Sequence, residues 1–306
     1  MKTINPLSEY QPSTPLALSI GMFDGVHLGH QSLIKRLNTI AKEKNLKSAI
    51  LSFWPHPKLV FQPQSDLQLL NTLDEKKALL ESFGMDYFLL QDFTEAFRNL
   101  SAEDFIEQIL VRQLQVKHLI VGYDHRFGKN QTGNFELLKA LAPRLGFEVE
   151  QQEAIALENQ NISSTKIRNA LLAGDILQAN AMLGYPYSIS GAVIHGKKIG
   201  RTIGYPTANI EVPPHQLLPK KGAYIVEVLV QGQLYKGMLS VGTNPTVNGT
   251  QMSVEVYILD FDASIYGETI TVKFRDFLHE EIKFDGLENL IKKLDDDKIR
   301  TQNFKF

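Results

Sequence analysis

The chain has 306 residues, of which 43% are hydrophobic, and its formal net charge is −2. This length and apolar content predict a buried core and favour two domains over one. The charge balance argues against a general nucleic-acid binder, which needs a basic excess. The chain contains no cysteine, which excludes disulfides, thiol catalysis and cysteine-ligated zinc.

The first residues, MKTINPLSEYQPSTP, lack the apolar core of a signal peptide, and no apolar run is long enough to span a bilayer. We therefore expect a cytoplasmic protein that binds neither membranes nor nucleic acid.

The first half of the chain alternates predicted strands with predicted helices. Strands are predicted at residues 16–21, 48–53, 87–90, 117–122 and 147–152. Helices are predicted at residues 30–45, 75–84, 101–115 and 133–146. Thr72 and Glu75 fit a capping box, Gly84 fits a helix end, and Ser101 fits an N-cap. The alternation predicts a doubly wound parallel sheet.

The pattern changes near Tyr185, where we place a boundary between domains 1–184 and 185–306. Beyond it, predicted strands follow one another, with a hairpin near Gly232 and period-two alternation in 252–259 and 269–274. A helix is predicted only at 287–297, and its acidic run, Asp295 to Asp297, is expected to be a solvated helix end. This half predicts a small all-β barrel with a C-terminal helix.

The stretch IGMFDGVHLGH (residues 20–30) lies where a predicted strand ends and a helix begins. Ligands bind at the carboxyl ends of strands in doubly wound sheets, and a helix N-terminus favours phosphate. Gly25 and Gly29 would let a nucleotide approach the main chain, and His27 and His30 share one face of the first helical turn. The alternative is a tight turn with an incidental pair of histidines. The glycine spacing matches neither G-x-G-x-x-G nor a P-loop.

A second polar segment, ISSTKIR (residues 162–168), has the composition of a helix start with basic residues. The three hydroxyl residues can cap a helix and touch phosphate oxygens, and the two basic residues can neutralise charge. They are Ser163, Ser164, Thr165, Lys166 and Arg168. The alternative is an ordinary N-cap beside a basic surface.

Two further segments follow predicted strands. WPHPKLVF (54–61) combines aromatic, proline and histidine residues on which a flat ligand could stack, although a rigid proline loop is the alternative. VGYDHRFG (121–128) places Asp124 and Arg126 at the carboxyl end of a strand.

These motifs carry a resemblance. FDGVHLGH resembles the His-x-Gly-His signature of the nucleotidylyltransferase superfamily, and SSTKIR resembles its second signature. The resemblance implies an ATP site at Gly21, Phe23, Asp24, Gly25, His27, Gly29, His30 and the Ser163–Arg168 segment, with His27 and His30 in catalysis. The segments 54–61 and 121–128 resemble the flavin-site stretches of bacterial FAD synthetases. They imply flavin contacts by Pro55, His56, Pro57, Asp124 and Arg126.

The second half contains GKKIGRTIGYPTANI (196–210), which resembles the riboflavin kinase signature. The resemblance implies that Thr207 and Asn209 hold Mg²⁺ and the phosphates of ATP. It adds loop residues at the ATP site, namely Gly196, Lys198, Gly200, Arg201, Gly204 and Pro206. Glu255 in SVEVYILDF matches the family's catalytic base, although by pattern alone it is a solvent-facing glutamate on an alternating strand. NPTV (244–247) and YGE (266–268) also match.

The order of the two halves resembles the bacterial bifunctional riboflavin kinase/FMN adenylyltransferase family, also called FAD synthetases. This implies riboflavin, FMN, FAD and ATP as substrates or products, with Mg²⁺ as cofactor. Two positions depart from the family pattern, because Ile199 and His279 stand where arginine is usual. They motivate an alternative, an adenylyltransferase with a weakened or flavin-binding kinase half. A non-catalytic flavin-sensing regulator is a further alternative, and the oligomeric state is open.

Overall fold

A computed structural model of the chain describes residues 1–62, 64–153, 156–157, 160–196, 199–246 and 249–305. Two residues named in the sequence analysis, Lys198 and Val247, lie outside these ranges. For Ile199 and residues 244–246, only the backbone is described. The chain divides into two compact units. The first unit is Met1–Leu67 with Asn71–Ser163, and the second unit is Gln68–Leu70 with Ser164–Phe306.

The first unit has the predicted alternation of strands and helices. Its strands are β1 (Lys2–Ile4), β2 (Leu16–Ile20), β3 (Lys47–Phe53), β4 (Tyr87–Gln91), β5 (Val116–Gly122), β6 (Glu148–Gln152) and the short pair β7 (Ala156–Leu157) and β8 (Gln160–Asn161). Its helices are α1 (Leu28–Glu43), α2 (Pro57–Phe61), α3 (Leu73–Ser82), α4 (Glu95–Arg98), α5 (Ala102–Asp104) and α6 (Phe135–Leu145), with 3₁₀ turns at Leu7–Glu9 and Lys129–Gln131.

Within the described residues, β1 to β6 form a six-stranded parallel sheet in the order β1-β4-β3-β2-β5-β6. The chain proceeds from β2 to β3 on one side and reaches β5 on the other, so the strand order reverses between β2 and β5. A crevice opens at the carboxyl ends of strands where the order reverses, and this is where doubly wound folds bind ligands. Because β2 is buried along its whole length, it runs through the middle of the core.

The predicted helix caps are present. The Thr72 amide donates to Glu75 Oε2 at 2.9 Å and the Glu75 amide donates to Thr72 Oγ1 at 3.2 Å, which completes the capping box. Ser101 Oγ accepts from the Asp104 amide at 3.0 Å, and Gly84 has a φ of +78° just after α3. The helix predicted at 101–115 is π-helical over Phe105–Gln113, a geometry that side-chain periodicity did not indicate.

The second unit is built around a closed antiparallel barrel, as predicted. The barrel strands are β9 (Ser188–Ile194), β10 (Ala208–Ile210), β11 (Gly222–Val230), β12 (Gln233–Thr246), β13 (Gly249–Ile258) and β14 (Thr269–His279), in the order β10-β13-β12-β11-β14-β9. The helices of this unit are α7 (Ser164–Ala173), α8 (Ile176–Leu183), α9 (Ile199–Thr202) and α10 (Leu287–Asn303). The hairpin between β11 and β12 turns at Gln231 and Gly232, which both have positive φ, as a type I′ turn requires.

The division between the compact units differs from the boundary placed by sequence. Prediction placed it between residues 184 and 185, whereas the units divide between Ser163 and Ser164, so α7 and α8 belong with the barrel. Asn180 on α8 shows why. Its Nδ2 donates to the Phe274 carbonyl at 2.9 Å, and its Oδ1 accepts from the Tyr187 amide at 2.7 Å. These hydrogen bonds join α8 to β14 and to the residue before β9. The amino-acid composition of the segment does not indicate them.

The acidic run in α10 is not a solvated helix end. The helix continues to Asn303, so the run lies in its middle, and Asp297 is only 3% exposed. Asp297 accepts from His279 Nε2 and from Lys293 Nζ, both at 2.7 Å. The Tyr205 hydroxyl donates to Asp295 in a short hydrogen bond. Side-chain hydrogen bonds therefore hold α10 against the barrel.

We expect Asp297→Asn to lower the free energy of unfolding of the second unit by about 1–3 kcal/mol, because a buried carboxylate loses its charge-assisted bonds to His279 and Lys293. Urea unfolding followed by circular dichroism measures this change. The single tryptophan, Trp54, lies in the first unit and reports that unit separately by fluorescence. Asp296→Asn, at the exposed neighbouring position, is the matched control. Equal stability of the two variants would contradict the assignment.

Candidate active sites

The turn between β2 and α1, which we call the glycine turn (Met22–Val26), has an unusual backbone. Phe23, Gly25 and Val26 have φ values of +50°, +81° and +33°. Side chains rarely adopt this region, and for a branched residue such as Val26 it is strained. Such strain persists only where the surrounding structure holds it, and it concentrates at ligand sites.

The glycines beside this turn lie close to its side chains. A Cβ atom on Gly21 would lie 3.1 Å from the Phe23 ring, and one on Gly29 would lie 3.2 Å from atoms of the His27 ring. Gly29 was expected to admit a nucleotide to the main chain. In the structure, the absence of a Cβ atom at Gly29 leaves room for the imidazole of His27.

His27 and His30 come together as one stacked pair. Their ring centroids are 3.7 Å apart with an interplanar angle of 17°, and the Phe23 ring lies 4.8 Å from His30. Burial lowers the pKa of His27 to about 4. Burial, and then His27 and Lys76, place the pKa of His30 well below its usual value. Both imidazoles are therefore neutral at pH 7, and within the described residues each Nδ1 is buried without a hydrogen-bond partner.

One residue at the glycine turn was missed by sequence reasoning. Lys76 of α3 is only 2% exposed, and its Nζ donates to the Met22 carbonyl at 2.7 Å. Asp24, which is also buried, raises the pKa of Lys76, but burial dominates and lowers it to about 8. A signal was present in the sequence, because Lys76 stands one turn before Leu80 on the buried side of α3.

An aromatic cavity of about 370 Å³ opens at the carboxyl ends of β2, β3 and β5. Pro57 and Arg126 of the predicted flavin contacts line it, and Pro55, His56 and Asp124 do not. His56 has a different local role, because its Nδ1 accepts from the Lys58 amide at 3.1 Å and caps α2. The lining includes five phenylalanines and a histidine that sequence reasoning did not assign to the site, namely Phe53, Phe93, Phe97, Phe105, Phe127 and His125.

The rings in this cavity form a connected set. Phe53 lies 5.4 Å from Phe93 and 5.5 Å from Phe97, and His125 lies 5.8 Å from Phe127 in stacked geometry. Phe105 connects the two groups, because its ring lies 5.8 Å from Phe97 and 5.5 Å from Phe127. Aromatic walls of this kind suit a flat heteroaromatic ligand. In the sequence analysis Phe53 ends a predicted strand, Phe127 lies in the segment 121–128, and Phe93 and Phe97 lie in no predicted element. The tertiary structure brings their rings together in one cavity.

The Ser163–Arg168 segment is divided between the units. Ser163 ends the first unit, while Ser164, Thr165, Lys166 and Arg168 begin α7 in the second. The predicted helix start is therefore present. Arg168 Nε donates to the Gln68 carbonyl at 2.7 Å, an interaction within the second unit.

The second unit gathers three of its predicted site residues on one face of the barrel. Thr207 Oγ1 donates to Glu255 Oε2 at 3.1 Å, and Asn209 lies directly opposite Glu255 in the pairing of β10 with β13. Val254 and Val256 are buried, so the alternation of β13 turns Glu255 to the opposite face. The carboxylate, the hydroxyl and the amide form a cluster of oxygen donors.

The loop before this cluster is closely packed. A Cβ atom on Gly196 would overlap the Asn209 side chain, and one on Gly200 would overlap the Tyr205 carbonyl. Gly204 has a φ of +80° with open space around it. These glycines were expected to let the loop cover phosphates. Gly200 is needed to fold the loop against the backbone of Tyr205, and Gly196 lies against the end of the Asn209 side chain.

A cavity of about 470 Å³, which we call the barrel cavity, adjoins the cluster and is lined by Arg201, Pro206, Thr207 and Tyr266, among others. Arg201 Nη2 donates to the Tyr266 hydroxyl at 3.4 Å, and the His195 ring lies 4.0 Å from the Tyr266 ring. Arg201 is exposed, so its guanidinium is open to an anion.

A parallel sheet with a strained strand–turn–helix site, followed by an antiparallel barrel with a Thr-Asn-Glu cluster, defines a two-unit nucleotide-dependent transferase. The family model described as FAD synthetase matches residues 10–166, and the model described as riboflavin kinase matches residues 183–305. The chain belongs to the family of bifunctional riboflavin kinase/FMN adenylyltransferases.

Two relatives illustrate the similarity. The chain is 42% identical over 289 residues to the bifunctional riboflavin kinase/FMN adenylyltransferase of Listeria monocytogenes, covering 94% of this chain and 91% of that protein. It is 37% identical over 305 residues to the protein of the same name from Escherichia coli K12, covering 99% and 97% of the two chains. The match of the riboflavin kinase model across the second half favours the bifunctional interpretation over an adenylyltransferase alone.

A crystal structure of a Streptococcus pneumoniae protein, named a macrolide-efflux protein, has a TM-score of 0.91 to this chain, with 32% identity and 99% coverage of both chains.

Among the residues described here, no helix combines the length and apolar character that crossing a membrane requires.

The buried histidines predict a pH dependence of stability. Because the folded-state pKa of His27 lies below that of the unfolded chain, the unfolded state binds more protons as the pH falls below about 6.5. The free energy of unfolding therefore decreases from about pH 6.5 towards pH 4, and His27 contributes roughly 2 kcal/mol of this loss between pH 7 and pH 5.

His27→Gln should remove that contribution. Urea unfolding followed by Trp54 fluorescence gives the free energy of unfolding at pH 7 and at pH 5. The pKa values of His118 and His125 are lowered too, and these residues add to the loss of stability. The contribution of His27 is therefore the loss in the wild type minus the loss in the variant. An unchanged pH dependence in the variant would show that His27 is not held neutral.

Proposed function

We propose that the second unit transfers the γ-phosphoryl group of ATP to riboflavin, and that the first unit joins the resulting FMN to the adenylyl group of a second ATP. The products of the second reaction are FAD and pyrophosphate. One observation carries this proposal. Each half of the chain matches the family model of one activity and also holds a cluster whose chemistry suits that activity.

In the kinase reaction, the neutral 5′-hydroxyl of riboflavin attacks the γ-phosphorus of ATP and ADP leaves. A neutral hydroxyl benefits from a base, and we assign the Glu255 carboxylate to accept its proton. The Thr207 hydroxyl already donates to Glu255, so its lone pairs face away from the carboxylate. This arrangement orients Thr207 as an oxygen ligand and places the base beside it.

The donor chemistry of the barrel cluster fits Mg²⁺. Thr207 and Asn209 supply neutral oxygens, and magnesium prefers oxygen ligands while keeping waters and substrate phosphates in its shell. When bound, the ion would neutralise charge on the phosphates. We also assign Gly196, Lys198, Gly200, Gly204 and Pro206 to the loop over ATP, and exposed Arg201 to its phosphates.

In the adenylyl transfer, a phosphate oxygen of FMN attacks the α-phosphorus of ATP, and the bond to pyrophosphate breaks. The nucleophile is already ionised, so positioning and hydrogen bonding take the place of a base. His27 and His30 are neutral donors beside the N-terminus of α1, and the backbone of the glycine turn with Gly21 and Gly29 completes the ATP site.

We assign the flavin ring of FMN to the aromatic cavity. Its phenylalanines provide stacking surfaces, and Pro57 and Arg126 line the same walls. Pro55, His56 and Asp124 would act from outside this lining. The basic and hydroxyl residues Ser163, Ser164, Thr165, Lys166 and Arg168 would contribute to ATP in the adenylyl transfer, as the family resemblance implies.

We expect His30→Ala to lower kcat/KM for FMN adenylylation by roughly 100-fold or more, because a positioned donor to the polyphosphate is lost. Riboflavin phosphorylation by the same variant should stay near the wild-type rate, since that chemistry lies in the other unit. Chromatography of FMN and FAD measures both rates. His118→Ala removes a buried histidine from the amino-terminal half of β5 and is the matched control. Normal FAD formation by His30→Ala would refute the assignment.

We expect Glu255→Gln to lower the rate of riboflavin phosphorylation by roughly 100-fold or more, because the amide cannot accept the hydroxyl proton. FAD formation from supplied FMN should continue. Glu288→Gln, at an exposed position in α10, controls for the loss of a charge. A full kinase rate in Glu255→Gln would mean that another group is the base.

A further inference from the structure

A buried lysine, Lys76, lies beneath the glycine turn. Lysine is almost never fully buried unless it is paired, because removing an ammonium from water is costly. Lys76 is 2% exposed, yet the hydrogen bond that its Nζ makes within the described residues is to a neutral acceptor, the Met22 carbonyl, at 2.7 Å. The indole ring of Trp54 lies 6.0 Å from the same atom. Such a costly placement calls for a function.

The position of Lys76 connects it to the strained backbone. Met22 is the first residue of the glycine turn, and the positive φ values follow at Phe23, Gly25 and Val26. The ammonium holds the carbonyl that enters the turn, and it does so from α3, whose first turn is fixed by the Thr72–Glu75 capping box. A rigid helix therefore supports a strained turn through one charge-assisted hydrogen bond.

The charges around Lys76 are suited to a bound anion. The titratable groups that act on it are Asp24 in the glycine turn and His30 on α1, and burial keeps His30 and its partner His27 neutral. The ammonium is therefore the positively charged group here, next to the Asp24 carboxyl and a neutral histidine pair. In a site with little solvent this charge acts more strongly than it would at the surface.

We propose that Lys76 is a positioning residue for the adenylyl transfer: its ammonium holds the glycine turn in the conformation that receives the triphosphate of ATP and supplies positive charge beneath it. The proposal deepens the proposed function of the first unit and rests on it. It gives a role in this reaction to a residue of α3, which lies outside both signature motifs of the first unit.

The test uses the full chain and two substitutions of Lys76. Lys76→Met keeps the length of the side chain without its charge, and we expect KM for ATP in FMN adenylylation to rise by about tenfold or more, with kcat within about threefold of wild type. Riboflavin phosphorylation by the same variant should be unchanged. The matched control is Lys77→Met, since Lys77 is the neighbouring, less buried lysine and pairs with Asp74. It should leave both activities at wild-type levels.

A pH profile separates positioning by the charge from a structural effect. The ammonium loses its proton as the pH rises through about 8, so kcat/KM for ATP in the wild type should fall above that pH. Lys76→Arg keeps a charged group at all these pH values and should lose this alkaline decline. Lys76→Met should be low throughout, with no decline.

Each outcome bears on the proposal. A wild-type KM for ATP in Lys76→Met, or an alkaline decline that persists in Lys76→Arg, would overturn it. Urea unfolding of Lys76→Met distinguishes loss of the fold from loss of ATP positioning. We expect a lower free energy of unfolding with the fold retained, because the Met22 carbonyl loses its donor and buried Asp24 loses the neighbouring ammonium. Failure of the proposed function is a separate result, since wild-type protein would then form no FAD from FMN and ATP.

Discussion

The packing of β2 between β3 and β5 is the constraint on which the first unit depends. Because β2 is buried on both faces and the strand order reverses beside it, the chain leaving its carboxyl end enters a crevice. The glycine turn occupies that crevice in a strained conformation and passes directly into α1. The stacked histidines, the buried lysine and the aromatic cavity are all arranged around this turn.

The two units solve different chemical problems with different groups. In the mechanism that we propose, the first unit handles an ionised nucleophile and a polyphosphate with neutral histidines and a helix N-terminus instead of a base. In the same proposal, the second unit activates a hydroxyl group with Glu255, which lies beside Thr207 and Asn209. The barrel holds this cluster through strand register, which is more rigid than a loop. The C-terminal helix supports the same region, since Asp295 accepts from Tyr205 two residues before Thr207.

Several features of the fold and site were predictable because they depend on short-range pattern. The capping box at Thr72, the hairpin at Gly232 and the strand carrying Glu255 follow from local spacing and alternation. Other features depended on contacts between distant segments. The acidic run was expected in solvent, but Asp297 is buried against His279 and Lys293. The grouping of α7 and α8 with the barrel in one compact unit also depends on such contacts, because α8 hydrogen-bonds to β14.

The amino-acid sequence alone was sufficient to predict the alternating strands and helices of the first half, the barrel of the second half and the motifs of the two candidate sites. These rest on periodicity and on residues within one turn or strand of each other. Contacts between distant segments, in contrast, make the histidines stack in their neutral form, bring five phenylalanines into the lining of one cavity, and bury Lys76 beneath the glycine turn. The physical reason is that burial and desolvation are set by segments far apart in the chain, and these set the pKa of each group and the shape of each cavity.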